Sequence, residues 1–129
     1  MNKQMRGFTV IEIIVIIAIA GIAATVFFVQ KNNLEIAARD DTRKTAINAM
    51  YYSLEEVYYK QNNAYPRTIN ENILPSVDPE LFTDPNGIKL GEAESEYRYE
   101  PTDCEGEKCQ SYTLRTTLEN EADYIKENR

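Results

Sequence analysis

The chain has 129 residues, and its 14 Lys and Arg face 21 Asp and Glu, for a formal net charge of -7. It contains no histidine and no tryptophan. Without histidine there is no Ser-His-Asp or Cys-His arrangement, no HExxH zinc motif and no imidazole titrating near neutral pH, and the acidic balance repels phosphate backbones. Carboxylate pairs need no histidine, but no carboxylates cluster here like a nucleophile with its base. The acidic residues read as spread over loops and a solvated helix face. A non-enzyme is expected, with no cofactor, no metal and no direct nucleic-acid binding, since no Lys/Arg cluster interleaves with aromatics.

The first element is MNKQMRGFTVIEIIVIIAIAGIAATVFFVQK, a basic hexapeptide, a Gly-Phe junction and an apolar run broken only by Glu12. Ile13 to Val29 carries no charge, and a helix from Phe8 to Val29 spans about 30 Å, the hydrocarbon thickness of a bilayer. Lys3 and Arg6 precede the run, which keeps this end cytoplasmic and sends the rest across. A membrane-embedded acid costs about 2.5 to 3.5 kcal/mol at the helix centre and less near an end, so Glu12 calls for a partner. A cut between Gly7 and Phe8 would supply one: the new ammonium stands four residues, one helical turn, from Glu12. The plainer reading puts Glu12 at headgroup level, favoured by the positive end of the helix dipole.

The stretch Arg6-Gly7-Phe8-Thr9-Val10-Ile11-Glu12, followed by an aliphatic helix, resembles the class III signal of type IV pilins and pseudopilins. The resemblance is close over the leader and first helix and holds only in outline beyond them. It implies cleavage by prepilin peptidase after Gly7, N-methylation of Phe8 and a role for Glu12 in subunit assembly. Its implied partners are further copies of the chain in a helical filament, the peptidase and a membrane assembly platform. Two alternatives compete. A secretory signal would use Ala18-Ile19-Ala20 as its cleavage site, but the apolar run continues past it and contains a charge. A plain single-pass anchor explains the length, not Glu12 or the Gly-Phe junction.

Residues 1–7 are therefore read as a removed leader, 8–29 as a membrane and filament-core helix, and 30–129 as an extracytoplasmic domain. Loss of Lys3 and Arg6 with the leader takes the formal charge from -7 to -9. Gln30 to Gln61 contains neither Pro nor Gly, and Ile47, Met50, Leu54 and Val57 follow helical spacing, with Tyr51 and Tyr58 one position on. Arg39, Asp40, Arg43, Lys44, Glu55 and Glu56 are read as the solvated face. One helix from Phe8 to Gln61 is expected, its first half buried in lipid or in other copies of itself. Gly21 inside the run permits local unwinding or close approach, or is simply a small residue in a membrane helix.

Asn62, Asn63 and Tyr65-Pro66 end the helix. Thr68-Ile69-Asn70-Glu71 has capping-box spacing ahead of Ile73 and Leu74, Asp78-Pro79-Glu80-Leu81 offers an N-cap with proline at N1, and Asp84-Pro85-Asn86-Gly87 is a turn. In some related pseudopilins acidic loop residues bind calcium, and Asp84, Asn86 and Glu92 invite that reading. The D-x-[DN]-x-[DN]-G pattern is missing, however, which favours a plain turn. Within 97–118, Tyr97 and Tyr99, then Tyr112, Leu114, Thr116 and Leu118, alternate as strand faces. Cys104 and Cys109, in a segment sent to an oxidising side, read as a disulfide across the hairpin, with free thiols as the alternative. The tail from Glu119 to Arg129 is mostly polar and is expected to fray, with Tyr124 and Ile125 able to dock.

The fold class expected is α+β: a long N-terminal helix, hydrophobic in its first half, with a small antiparallel β-sheet on its second half, as in pilin-like proteins. Two functions remain, a filament subunit or a monomeric membrane-anchored extracytoplasmic binding protein. Which filament system the subunit would serve stays open.

Overall fold

The computed structural model describes residues 7–129, so the leader positions Lys3 and Arg6 lie outside the described residues. The chain divides into two compact units, Met1–Glu35 and Ile36–Arg129. Helix α1 (Val10–Tyr52) begins in the first. There its side chains are exposed on every face, including Ile11, Ile14, Ile17, Ile22, Phe27 and Phe28. An all-round apolar helix with nothing packed on it cannot persist in water, and this one is long and apolar enough to cross a membrane. Within this exposed stretch, Thr25 Oγ1 donates to the Gly21 carbonyl at 2.9 Å.

The second unit is α+β and pilin-like: the amphipathic remainder of the helical stretch carries a small antiparallel sheet. The stretch is not uniform. After α1 comes a π-helical segment (Ser53–Tyr58), then α2 (Tyr59–Asn62), which ends one residue past the expected Gln61. Asn63 caps it in the left-handed conformation, φ 56°, its N–H donating to the Tyr59 carbonyl at 2.8 Å. The π turn corrects the expected apolar face. Ala46, Ile47, Met50 and Leu54 are fully buried, but an i→i+5 turn holds an extra residue. Val57 and Tyr58 are both half-buried, and of the two Tyr58 packs on the core.

The sheet is built on β3 (Lys108–Thr116). On one side β2 (Tyr97–Glu105) runs antiparallel along its length; on the other lie β1 (Tyr65–Pro66) and β4 (Tyr124–Glu127). Tyr97, Tyr112 and Leu114 bring the inner faces of β2 and β3 onto Ile47, Met50 and Leu54, with Ile69, Leu74, Val77 and Phe82 of the connecting loop closing the core. Pro101 is tolerated in β2 because its partner Tyr112 directs its own N–H to Asn128 Oδ1, so no ladder bond goes unmade. The tail does not fray: residues 124–127 pair with 113–116, and Tyr124 donates to Asn48 Oδ1 at 2.9 Å. A polar strand needs only one half-buried face, and Tyr124 supplies it.

Three side chains expected on the solvated helix face are buried instead: Asp40, Arg43 and Glu55. Arg43, 2% exposed, donates to Glu96 Oε2 at 2.6 Å, Asp40 Oδ1 at 2.8 Å and Glu119 Oε2 at 2.9 Å. Burial works against its charge, but the hydrogen bonds to Glu96 and Glu119 outweigh it and hold its pKa above the ordinary value. Arg39 adds a two-pronged contact to Glu119, both arms 2.8 Å. Glu55, 5% exposed, accepts from the hydroxyls of Tyr112 at 2.8 Å and Tyr65 at 3.0 Å and from the Arg129 N–H at 3.3 Å. Burial, reinforced by Glu55, pushes both phenols up. These charges are buried because each is matched.

The Glu119 carboxyl carries a pH signature. Hydrogen bonds from Arg39 and then Arg43 hold its pKa at about 2, against an ordinary 4.5. A depressed folded-state value means its stabilising contribution is complete above the unfolded value and disappears as pH falls through the folded one. Between pH 4.5 and 2 the urea midpoint of the wild-type chain is expected to fall more steeply than that of Glu119→Gln, with the two curves converging at the acid end. Parallel curves would contradict the assignment.

The connecting loop follows its turn signals in part. Asp78 caps a 3-10 turn (Pro79–Phe82), accepting from the Glu80 N–H at 3.1 Å. The turn at 84–87 closes with Gly87 N–H on the Asp84 carbonyl at 2.9 Å, Gly87 at φ 83°. The short helical turn expected after Thr68 forms two residues later, anchored on Asn70, whose Oδ1 accepts from the N–H groups of Asn72 and Ile73 at 2.9 and 3.0 Å. An Asx turn competes with helix for those donors. In the hairpin, Cys104 and Cys109 stand opposite one another and form a disulfide. Closing so short a loop contributes about 2 kcal/mol in the chain-entropy account.

A candidate processing and assembly site at the amino terminus

Gly7, Phe8 and Glu12 lie within six consecutive residues at the helix start. Gly7, Phe8 and Thr9 precede the helix, which begins at Val10; its first backbone bond runs from Ile13 N–H to the Thr9 carbonyl at 3.2 Å. Phe8 is 75% exposed, and a side chain at Gly7 would meet nothing within 4 Å. The Gly7–Phe8 peptide bond thus lies outside the helix and is exposed among the described residues.

Glu12 sits in the first turn and has a partner even in the uncut chain. Its Oε2 accepts from the Thr9 N–H at 2.9 Å and from Thr9 Oγ1 at 3.2 Å, while the Glu12 N–H is 3.3 Å from Thr9 Oγ1. This reciprocal arrangement is a capping box, with Thr9 as N-cap and Glu12 three residues on. It satisfies two of the orphan donors at the helix start where lipid offers none. Oε1 accepts nothing among the described residues. Neither the dipole reading nor the Phe8-amine reading of Glu12 identified Thr9. The T-x-x-E spacing of Thr9-Val10-Ile11-Glu12 is the signal that points to it.

Residues 2–28 match a family model, the prokaryotic N-terminal methylation motif. The chain therefore opens with a class III signal of the type IV pilin kind. No curated protein and no solved structure matches the chain. The methylation motif ends at the last residues of the apolar run, so it lies within the first unit and covers none of the sheet-bearing one.

The other positions read for chemistry are held by structural contacts. Asp84, 4% exposed, accepts from the backbone N–H groups of Asn86, Ile88 and Glu96 at 2.9 to 3.0 Å, so its carboxylate organises the loop from within. Asn86 Nδ2 donates to Glu96 Oε1 at 3.1 Å, and Glu96 is the partner of Arg43. No group of metal-ligating side chains occurs among the described residues. Cys104 and Cys109 lie at the far end of the sheet, in their disulfide.

Proposed function

We propose that this chain is the precursor of a type IV pilus or pseudopilus subunit: inserted with its N-terminus cytoplasmic, cut between Gly7 and Phe8 by prepilin peptidase, N-methylated on Phe8 and assembled through its apolar helix into a filament outside the membrane. The observation that carries the reading is the conjunction of the methylation motif with an apolar helix whose side chains are exposed on every face of its own unit among the described residues. Hydrolysis adds water oxygen to the Gly7 carbonyl carbon and releases the Phe8 nitrogen as an ammonium; an external methyl donor then supplies its methyl group. The ammonium and Glu12 Oε1 form a neutral pair. In a bundle of extracted helices that pairing, within a subunit or with its neighbour, fixes axial register, because an unpaired charge in a dry core is heavily penalised.

The sheet-bearing domain is then a surface coat. It is acidic and folded by its own core and ion pairs, which suits it to solvent exposure around a filament. Shearing cells and fractionating the supernatant tests the proposal: the subunit is expected in high-molecular-weight fibres together with copies of itself and with the assembly platform left in the membrane. Recovery only as a membrane-bound monomer would support the anchored binding protein instead.

A further inference from the structure

Resting on that reading of the cut, we propose that Thr9 is a positioning residue for proteolysis: by capping the helix two residues after the scissile bond, it keeps the Gly7–Phe8 peptide out of the helix and its carbonyl free for attack. A peptide bond inside a helix is a poor protease substrate, because its carbonyl accepts an i+4 N–H and its backbone cannot lie extended in a cleft. In this chain the Gly7 and Phe8 carbonyls precede the first helical bond, which is accepted by Thr9. What stops the helix there is the capping box, with three contacts of 2.9 to 3.3 Å between Thr9 and Glu12.

Remove the hydroxyl and the choice of start changes. The Glu12 N–H then loses its oxygen partner, and its nearest acceptor is the Phe8 carbonyl, one turn upstream; a helix begun there is extended one residue further by Ile11 N–H donating to the Gly7 carbonyl. Near a membrane, where water is scarce, unsatisfied donors favour extending the helix over leaving it short. That extension ties up the carbonyl the peptidase must polarise. Glycine at position 7 resists it, because glycine is a poor helix former, so the effect is a shift in population and not a block. Loss of an N-cap side chain shifts such an equilibrium about fivefold.

The test uses the full-length chain in lipid vesicles with purified prepilin peptidase, following by mass spectrometry the appearance of protein beginning at Phe8. Thr9→Val removes the hydroxyl at constant shape, while Thr9→Ser and Thr9→Asp retain a capping oxygen. Cleavage of Thr9→Val is expected to slow about fivefold at saturating peptidase, with Ser and Asp restored to within about twofold of wild type. A helix-start readout accompanies it: amide exchange at Ile11, whose N–H would donate to the Gly7 carbonyl, is expected to slow in Thr9→Val only. Wild-type cleavage with Thr9→Val equally fast overturns the positioning role and leaves the processing proposal standing. Slow cleavage in all three variants would mean that the peptidase reads the threonine side chain itself, which also overturns it. Failure of the wild-type chain to be cut at Gly7 overturns both.

Discussion

Arg43→Met protein is expected to lose about 3 kcal/mol of domain stability, measured as a fall in urea midpoint at unchanged m-value on the full chain in detergent. Removing one partner from a buried ion pair typically costs 3 to 5 kcal/mol because the other charge is left without compensation. Arg43 has three partners, and they differ in their access to water: side-chain exposure is 9% for Asp40, 22% for Glu96 and 35% for Glu119. Glu96 and Glu119 can recover hydration, and Arg39 stays on Glu119, so the lower end of the range applies. Asp40 cannot. Its carboxylate retains only the Glu119 N–H at 3.0 Å. For a small domain with a total stability of about 5 to 10 kcal/mol this is a large fraction. Arg43→Lys keeps the charge without the planar fork and is expected to fall between wild type and Met. A loss below about 1 kcal/mol for Met would mean that the cluster is solvated and does not tie the helix to the 96 and 119 segments.

The second large effect concerns Glu12. If the charge exists to pair with the Phe8 ammonium in a dry bundle, Glu12→Leu leaves that ammonium alone among apolar helices, at a cost of about 3 to 5 kcal/mol per subunit. Multiplied along a filament, that abolishes assembly. The variant is expected to accumulate in the membrane, to be cut after Gly7 and to be missing from sheared fibres. Leucine also removes the acceptor for the Thr9 N–H, so Glu12→Gln is the companion: its amide oxygen can keep the capping box, but it carries no charge. Gln is expected to fail in assembly as Leu does. Normal fibre yield from Gln would assign Glu12 to helix capping alone, and normal yield from Leu would remove it from the account altogether.

How much of this was legible in the sequence depends on the range of the interactions involved. The apolar run, the amphipathic stripe as far as Leu54 and the strand alternation are local patterns, and each lies where expected, including Tyr97, Tyr112 and Leu114 facing the helix. The capping box was equally local, written in Thr9-x-x-Glu12. Burial of Arg43 and Glu55 was not legible. A charge on a helix face is solvated by default, and only partners 53 to 76 residues away for Arg43, or 57 and 74 away for Glu55, make burial favourable. The π turn belongs to the same class: it carries Glu55 and turns it toward Tyr65 and Tyr112. The tail misled because its polarity is that of an edge strand. Its order comes from β3, Asn48 and Glu55, none of which its own composition announces.

The central claim, that the chain is a cleaved and methylated filament subunit, is tested most directly by the mass of its N-terminal peptide in the sheared fibre fraction. The account predicts a peptide beginning at Phe8 and heavier by one methyl group, recovered from fibres. An intact Met1 in assembled fibres, or a mature chain beginning at Gly21 after cleavage at Ala18-Ile19-Ala20, would contradict it.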